Sequence, residues 1–340
     1  MSRPVSNPPN PWQRWTLERF EPELAQLIVQ EERAHSALSR NDSPDIPFRW
    51  SLNPYRGCQH ACAYCYARPT HQFLGLGAGT DFEKKIVVKT NLPELLAEEL
   101  ARPSWRGEPI TFSGVTDPYQ PLEARYGLTR RCLELCLARA NPVVIVTKGA
   151  LVRRDSALLV RLARRAGARV FVSIPFASAE LARALEPGAP SPAERFATLR
   201  ALSDAGVPTG LALAPLIPRL NEHELPRLLE RARSAGARHA FLVLLRLPAE
   251  VLDVFRERLE QAFPSRARAV LAALAEMRSG RLQESRFGER MRGRGPRYQI
   301  ARDLFHLHCR QLGLETSSDR ELRPLDCARS SGQGLLFGEP

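Results

Sequence analysis

The stretch NPYRGCQHACAYCYARP, residues 53–69, carries the strongest signal in the chain. It places three cysteines, Cys58, Cys62 and Cys65, within eight positions in the spacing C-x3-C-x2-C. Its glycine, asparagine and arginine content is typical of a loop, so buried structural thiols are not expected here. A tetrahedral zinc ion or a complete iron–sulfur cluster takes four ligands. The stretch supplies three, and the fourth ligand needs an explanation.

Two metal centres compete as interpretations of the three cysteines. A zinc site would recruit His60 or His71 as its fourth ligand, but the spacing does not match a zinc-finger pair and no second pair follows. In a [4Fe–4S] cluster, three thiolates hold three irons and leave the fourth iron open for another ligand. The missing fourth cysteine therefore favours a cluster held by Cys58, Cys62 and Cys65.

The composition bounds the class of protein. The chain has 340 residues, 44% of them hydrophobic, which is enough to bury one large core. No run approaches the roughly 18 uninterrupted apolar residues of a membrane span. The N-terminus, MSRPVSNPPNPW, lacks the apolar segment of a secretory signal. We therefore expect a cytoplasmic protein without a membrane contact, in which seven cysteines do not indicate a disulfide framework.

The formal net charge of +12 comes mainly from arginine. Such a charge attracts polyanions and favours nucleic acid as a partner, although an arginine-rich composition also serves solubility alone. The segment SRFGERMRGRGPRYQ, residues 285–299, interleaves five arginines with Phe287 and Tyr298. These arginines either contact the phosphates of a nucleic acid or pair with carboxylates while the glycines make turns. The sequence leaves both interpretations open.

Short apolar runs alternate with amphipathic segments through most of the chain. Six runs are predicted to be buried strands: residues 48–52, 109–114, 142–149, 168–175, 208–215 and 240–248. Residues 128–140 and 155–167 have helical spacing, and the second segment ends at Gly167. Strands and helices alternating at the spacing of βαβ units predict an α/β fold, a partial (β/α)6 barrel that is open on one side.

We divide the chain into four regions. They are an N-terminal extension at 1–45 with a short helix around Glu23 to Ala37, the barrel at 46–264, a helical, arginine-rich C-terminal region at 265–325, and a flexible tail at 326–340. The carboxyl ends of the predicted strands carry the cysteine loop, Thr116–Asp117, Thr147–Lys148, Ser173 and Ala214–Pro215. Because barrel active sites lie at that end of the strands, we expect these residues to share one site.

The spacing C-x3-C-x2-C, with Tyr64 just before the last cysteine, resembles the signature of the radical SAM superfamily. The resemblance implies two cofactors, a [4Fe–4S] cluster and S-adenosylmethionine (SAM). In that family SAM chelates the open iron, and its reductive cleavage gives a 5′-deoxyadenosyl radical that abstracts hydrogen from a substrate. The resemblance also implies an external electron donor such as a flavodoxin or a ferredoxin.

Residues 52–215 look like the bacterial proteins related to spore photoproduct lyase, a DNA repair enzyme. The shared motifs are C-A-Y-C-Y at 62–66, T-D-P at 116–118, V-T-K at 146–148, F-V-S-I at 171–174 and A-P at 214–215. More closely, residues 45–312 resemble a widespread group of uncharacterised bacterial radical SAM proteins. The resemblance to the lyase implies a DNA lesion or modified nucleobase as substrate, whereas the closer resemblance leaves the substrate open. The alternatives are a peptide or small-molecule substrate, and an iron–sulfur or zinc-stabilised nucleic-acid-binding module without radical turnover.

The resemblance to the lyase also implies roles for single residues. The implied cofactor-binding residues are Tyr64, Thr116, Asp117, Lys148, Ser173 and Ala214. Tyr64 would lie against the adenine of SAM, Lys148 near its carboxylate, and Ser173 near its ribose or methionine end. The catalytic tyrosines that relay hydrogen in the lyase would correspond to Tyr64 and Tyr66.

One position departs from the lyase. The lyase uses a cysteine close to its T-D-P segment to return a hydrogen atom to the product radical. The matching position here is Gly114, which has no side chain to donate that atom. The reaction therefore differs, or another donor such as Cys132 or Cys136 replaces it. The place of these two cysteines on an apolar helical stripe favours packing instead.

The ending QGLLF, Gln333 to Phe337, is similar to the short peptides that dock on the bacterial sliding clamp. Such a peptide would insert its two apolar residues into a pocket of the clamp. The ending therefore predicts the clamp as a partner and replication or repair as the setting.

Overall fold

Two sheets organise the residues that the computed structural model describes, which are 5–8, 26–284 and 286–316. The strands in chain order are β1 Ile28–Glu32, β2 Leu38–Arg40, β3 Trp50–Leu52, β4 Tyr55–Arg56, β5 Lys85–Lys89, β6 Ile110–Phe112, β7 Val143–Thr147, β8 Ala168–Ser173, β9 Thr209–Leu216, β10 His239–Leu244 and β11 Glu315–Thr316. The larger sheet has the order β11-β10-β9-β8-β7-β6-β3-β2, and the smaller has the order β1-β5-β4.

The larger sheet contains all six predicted strands. β3, β6, β7, β8, β9 and β10 are parallel and lie side by side in chain order. Antiparallel β2 lies at one edge and the short parallel β11 at the other. The two edges do not pair with each other within the described chain, so the sheet stays open. The predicted partial (β/α)6 barrel is confirmed.

Helices connect the parallel strands. In chain order they are α1 Thr80–Lys84, α2 Leu92–Ala101, α3 Glu123–Tyr126, α4 Leu128–Ala138, α5 Ser156–Arg165, α6 Ala179–Leu185, α7 Pro192–Asp204, α8 Leu225–Ser234, α9 Val251–Ala262, α10 Pro264–Glu276 and α11 Gly295–Leu312. Short 3-10 helices span Arg68–Leu74, Ala150–Asp155 and Glu222–Glu224. α4 and α5 occupy the two predicted helical segments. In the part of the chain that the structure describes, every helix is too short or too polar to cross a bilayer.

The core lies between the larger sheet and the helices around it. Successive residues of β8, such as Val170, Phe171 and Val172, are all buried, although their side chains alternate between the two faces of the sheet. This is expected where helices cover one face and the barrel interior the other. Leu159 and Leu162 of α5 are fully buried in the same core, which explains the helical spacing of that segment.

The smaller sheet corrects the prediction for the N-terminal extension. A helix was expected around Glu23 to Ala37, but residues 28–32 form β1, which pairs in parallel with β5 from Ile28↔Lys85 to Glu32↔Lys89. This pairing with a strand more than 50 residues away overrides the local helical propensity of IVQEE. Residues 9–25, including Glu23, lie outside the described part. The division into four regions stays a prediction.

The C-terminal region lies across the open side of the sheet. Between α10 and α11, residues 286–294 form an irregular stretch that we call the closing segment. Arg290 of this segment donates to Asp45 Oδ2 at 2.7 Å, in the loop between β2 and β3. The Arg290 carbonyl accepts from Arg278 at 3.2 Å, and Arg278 also donates to the carbonyl of Leu245, which follows β10, at 2.6 Å. The closing segment thus links the β2 edge of the sheet to β10.

Candidate active site

The three cysteines of the motif lie in one loop after β4. Cys58 and Cys62 are each 7% exposed, Cys65 is half-buried, and all three thiols are free. Burial raises the pKa of each thiol, to about 12 for Cys62, because removal from water disfavours the thiolate. The positive charge of Lys148 opposes this rise at Cys62 and Cys65. The loop therefore holds three thiols with little solvent exposure near the ammonium group of Lys148.

The segment after β6 clamps the start of the cysteine loop. Thr116 Oγ1 donates to the Gly57 carbonyl at 2.6 Å, and Gln120 Nε2 donates to the same carbonyl at 3.2 Å. Gln120 Oε1 accepts from the backbone N–H of Gln59 at 3.0 Å. Both donors and the acceptor belong to the segment T-D-P-Y-Q, residues 116–120. This segment therefore sets the path of the chain into Cys58.

The end of α6 holds the middle of the same loop. The N–H of Ala63 donates to the Leu185 carbonyl at 2.8 Å, and the N–H of Gly188 donates to the His60 carbonyl at 3.1 Å. Both bonds join backbone groups, so they fix the loop independently of its side chains. Two separate segments, one after β6 and one after β8, therefore position the cysteines.

A buried carboxylate gathers three of the predicted site residues. The Tyr64 hydroxyl donates to Glu186 Oε1, and Lys148 Nζ lies 3.8 Å from that oxygen and 5.6 Å from the centre of the Tyr64 ring. Arg195 donates to Glu186 Oε2 and, at 3.0 Å, to the Ser173 carbonyl. Burial raises the pKa of Glu186, and Arg195 opposes that rise. The sequence predicted Tyr64, Lys148 and Ser173 but not the Glu186–Arg195 pair that joins them.

Asp117 accepts hydrogen bonds from several sides. Thr147 Oγ1 donates to its Oδ1 at 2.5 Å, the N–H of Lys148 donates to its Oδ2 at 2.7 Å, and His60 Nδ1 lies 3.2 Å from Oδ2. Burial alone would raise the pKa of Asp117, but His60 and these hydrogen bonds lower it to about 2. The oxygens of Thr116 and Asp117 are thus bound within the protein. Their assignment to the cofactor stays a prediction.

The remaining predicted residues lie around this centre. Ser173 ends β8, and its hydroxyl donates at 3.3 Å to the carbonyl of Ala214, which lies within β9. Tyr66, next to Cys65, is 51% exposed and lies farther out. The structure brings these residues to the carboxyl edge of the sheet, as expected from parallel strands. The cofactor and relay roles assigned to them stay predictions.

Cys132 and Cys136 lie away from solvent, in the core. Both are fully buried on α4, where they belong to the main apolar cluster. Burial raises the pKa of both thiols, to about 12 for Cys136. This supports packing as their role.

The two histidines considered for a zinc site each contact another group of the protein. His71 Nε2 contacts the Lys85 carbonyl at 2.8 Å, and His60 contacts Asp117. Across the described residues, no three His, Cys, Asp or Glu side chains are arranged to hold a single metal ion. Each candidate histidine thus uses one ring nitrogen within the protein, while the buried Nδ1 of His71 has no hydrogen-bond partner among the described residues.

The donor set fits the [4Fe–4S] cluster. Burial raises the pKa of Cys58, and Cys62 and Cys65 raise it further, so the three thiols lie near one another in one loop. Thiolates are the usual protein ligands of iron–sulfur clusters. Lys148, close to Cys62 and Cys65, supplies positive charge beside an anionic centre. These three cysteines would hold the cluster.

Four buried polar residues of the site escaped the sequence reasoning. They are Arg68, Gln120, Glu186 and Arg195. Gln120 lies in the same short segment as T-D-P, so its proximity was a usable signal. Glu186 directly follows α6 and Arg195 lies in α7, neither is part of a motif, and only their contacts show their place. Arg68 donates to the Cys62 carbonyl at 2.9 Å and 2.8 Å and thereby fixes the loop from within.

Known proteins resemble the chain in sequence and in fold. An uncharacterized protein of Mycobacterium tuberculosis is 40% identical over 219 residues, which is 64% of this chain and 64% of that protein. The match thus spans less than two thirds of that relative. A radical SAM Nalpha-GlyT isomerase of Pseudomonas phage M6 is 24% identical over 231 residues, covering 67% of this chain and 46% of that protein.

The fold is similar to that of solved spore photoproduct lyases. A spore photoproduct lyase variant with bound AdoMet and dinucleoside spore photoproduct gives a TM-score of 0.62 at 19% identity, covering 85% of this chain and 81% of that one. The family model described as the Radical SAM superfamily matches residues 52–232, more than half of the chain and the region that holds the cysteine loop. The chain therefore belongs to the radical SAM superfamily, whose cofactors are a [4Fe–4S] cluster and SAM.

Proposed function

We propose that this protein is a radical SAM enzyme that abstracts a hydrogen atom from a nucleobase, in a DNA lesion or in a modified base. The supporting observation is the meeting of the cysteine loop with Tyr64, Lys148 and Ser173 at the carboxyl edge of six parallel strands. When bound, the cluster and SAM supply a 5′-deoxyadenosyl radical. The protein contributes binding, orientation and a site with low solvent exposure.

The contribution of the chain follows from its contacts. Cys58, Cys62 and Cys65 hold the metal. In this proposal Lys148 binds the carboxylate of SAM, and the buried ring of Tyr64, 5.6 Å from Lys148 Nζ, contacts the adenine. The low exposure of these groups excludes water, which protects a reactive radical from side reactions.

The substrate class rests on charge and on resemblance. A formal net charge of +12 favours a polyanion. The likeness to spore photoproduct lyase supports a damaged or modified base. Gly114, however, offers no thiol to the product radical, so we propose a reaction other than the lyase's own.

The test is turnover of anaerobically reconstituted protein with dithionite and SAM, with irradiated and undamaged DNA in parallel. We expect 5′-deoxyadenosine together with altered bases, and an EPR signal that changes when SAM is added. A Cys65→Ala variant is the matched control and should form neither 5′-deoxyadenosine nor altered bases. A fully loaded cluster that yields no 5′-deoxyadenosine would favour a binding module without turnover. Deuterium transfer to 5′-deoxyadenosine from a peptide or small molecule, but not from DNA or RNA, would show that the substrate is not a nucleic acid.

The proposal has three further parts. They are an electron donor such as a flavodoxin or ferredoxin, a cytoplasmic location, and the sliding clamp as a partner. The clamp-binding peptide, Gln333 to Phe337, lies outside the described residues. A pull-down with the intact tail that recovers no clamp would remove that partner.

A further inference from the structure

Arg246 is a cation with little internal compensation at the carboxyl end of the sixth parallel strand. It lies two residues after Leu244, the last residue of β10, and is half-buried. Its Nη1 donates to Met291 Sδ at 3.3 Å, a weak acceptor. Its buried Nε has no hydrogen-bond partner within the described residues. A buried, unpaired donor on a cation is costly unless an external group satisfies it.

The groups around Arg246 leave an excess of positive charge. Arg278 and Arg290 are close enough to interact with it electrostatically, and Asp45 is the nearby carboxylate. Three guanidinium charges against one carboxylate leave +2, because Glu284, which also faces Arg278, is paired with an arginine of its own. Burial lowers the pKa of Arg246, and the charge of Arg290 lowers it further.

The other two arginines are already occupied. Arg290 is held by Asp45, and Arg278 directs its guanidinium at the Leu245 and Arg290 carbonyls. Arg246 is therefore the member of the group that has donors to offer a ligand. An anion at the guanidinium of Arg246 would reduce the repulsion among the three cations.

Two exposed aromatic rings flank this group. Tyr66 is 51% exposed, directly follows Cys65 and lies near Arg246. Phe287 is 61% exposed, and its ring centre lies 4.5 Å from the Arg290 guanidinium. Single-stranded nucleic acids stack their bases on exposed aromatic rings that lie beside cationic side chains.

We propose that Arg246 binds a phosphate of a single-stranded or extruded nucleotide whose base stacks on Tyr66 or Phe287. The inference rests on the proposed function, because it places a nucleotide next to the loop that holds the cluster. It adds to that function the residue that recognises the phosphate. From the sequence, phosphate contacts were predicted only for the arginines of residues 285–299.

The test is binding of a fluorescein-labelled single-stranded oligodeoxynucleotide to full-length, anaerobically reconstituted protein, measured by fluorescence anisotropy over a KCl series. Loss of one phosphate contact should reduce the slope of log K against log[salt] by about 0.7 in Arg246→Ala. Arg246→Lys should keep most of the slope because it keeps the charge. Arg139→Ala is the matched control, since this exposed arginine lies just before β7, at the amino edge of the sheet. Iron content and far-UV circular dichroism verify the folding of each variant.

The outcomes separate this site from the proposed function. An unchanged salt slope in Arg246→Ala, in wild-type-like folded protein that forms 5′-deoxyadenosine, would overturn the phosphate site alone. A reduced slope in a protein that never forms 5′-deoxyadenosine would support the site and defeat the proposed function. Competition by polyglutamate as effective as that by the unlabelled oligonucleotide would show general anion binding and overturn the nucleotide.

Discussion

Gly114 has a backbone conformation that other residues avoid. Its φ is +131°, while a Cβ added there would lie 3.5 Å from its nearest neighbour, Asn53 Nδ2, which is an ordinary contact. The constraint is therefore conformational and not one of space. We expect Gly114→Ala to lower the free energy of unfolding by about 1–3 kcal/mol, measured by urea denaturation. Ser113→Ala is the control, and an equal effect of both substitutions would contradict the prediction.

The same constraint bears on the missing hydrogen donor. A thiol introduced by Gly114→Cys would carry the strain of the alanine variant, because both add a Cβ at positive φ. The backbone at this position is thus built for glycine. This supports a reaction that differs from that of the lyase at the step after hydrogen abstraction.

His239 makes stability depend on pH. Burial lowers its pKa to about 4, with Arg169 and Arg238 acting in the same direction and Glu315 opposing them. An unfolded histidine titrates near a pKa of about 6.5. Between these values the unfolded chain binds more protons than the folded one, so stability falls as the pH drops through that window.

We expect His239→Gln to reduce this loss of stability. The measurement is the difference in the free energy of unfolding between about pH 7.5 and about pH 5 for wild type and variant. The same substitution at His223, which is exposed, is the matched control. If wild type and His239→Gln lose equal stability over this range, burial of the imidazole is not the cause.

The residues predicted from the sequence are those that a short local pattern marks. Cys58, Cys62, Cys65 and Tyr64 share one stretch, so their spacing was readable before the fold was known. Glu186 is 122 positions from Tyr64 and has no such pattern. Its place follows only from the packing of α6 against the cysteine loop, which the sequence does not express.

At the scale of elements, the clamp on the cysteine loop should control metal retention. Gln120 is fully buried, and its removal leaves the Gln59 N–H without its acceptor. We expect Gln120→Ala to lower the free energy of unfolding by about 1–3 kcal/mol and to reduce the iron bound per chain after reconstitution. Gln261→Ala, on the exposed face of α9, is the control. Wild-type iron content in Gln120→Ala would show that the loop forms without the clamp.

The elements themselves were predictable where burial is continuous. Strands such as β7 and β9 are uninterrupted apolar runs because both faces of the sheet are covered, and each was located from its composition. β1 and β5 are as long as β7 but were missed because they contain charged residues. Their pairing, Ile28↔Lys85 onward, depends on residues far apart in the chain. Local patterns predict such a strand poorly, since its partner supplies the stabilisation.

At the scale of the whole molecule, ion pairs account for most of the arginines of residues 285–299. Arg286 pairs with Glu284, Arg294 with Glu289, Arg297 with Glu222 and Arg290 with Asp45. The interpretation of these residues as partners of carboxylates is thereby favoured over direct phosphate contacts. In our proposal, the positive charge that contacts a nucleic acid therefore lies on arginines outside this stretch, such as Arg246. The net charge of the chain alone could not make that distinction, because it does not show which cations are paired.

The Arg290–Asp45 pair should hold the open barrel together. The Asp45 side chain is 2% exposed and that of Arg290 is 17% exposed, so loss of the guanidinium leaves a buried carboxylate supported by the N–H of Gly288. We expect Arg290→Ala to lower the free energy of unfolding by about 1–3 kcal/mol.

Arg292→Ala removes the same charge from an exposed position of the closing segment and serves as the control. The double variant Asp45→Ala/Arg290→Ala should lose less stability than the sum of the single variants, because neither partner remains buried alone. Additive losses in urea denaturation would mean that the contact between residue 45 and the closing segment does not link the two sides of the sheet.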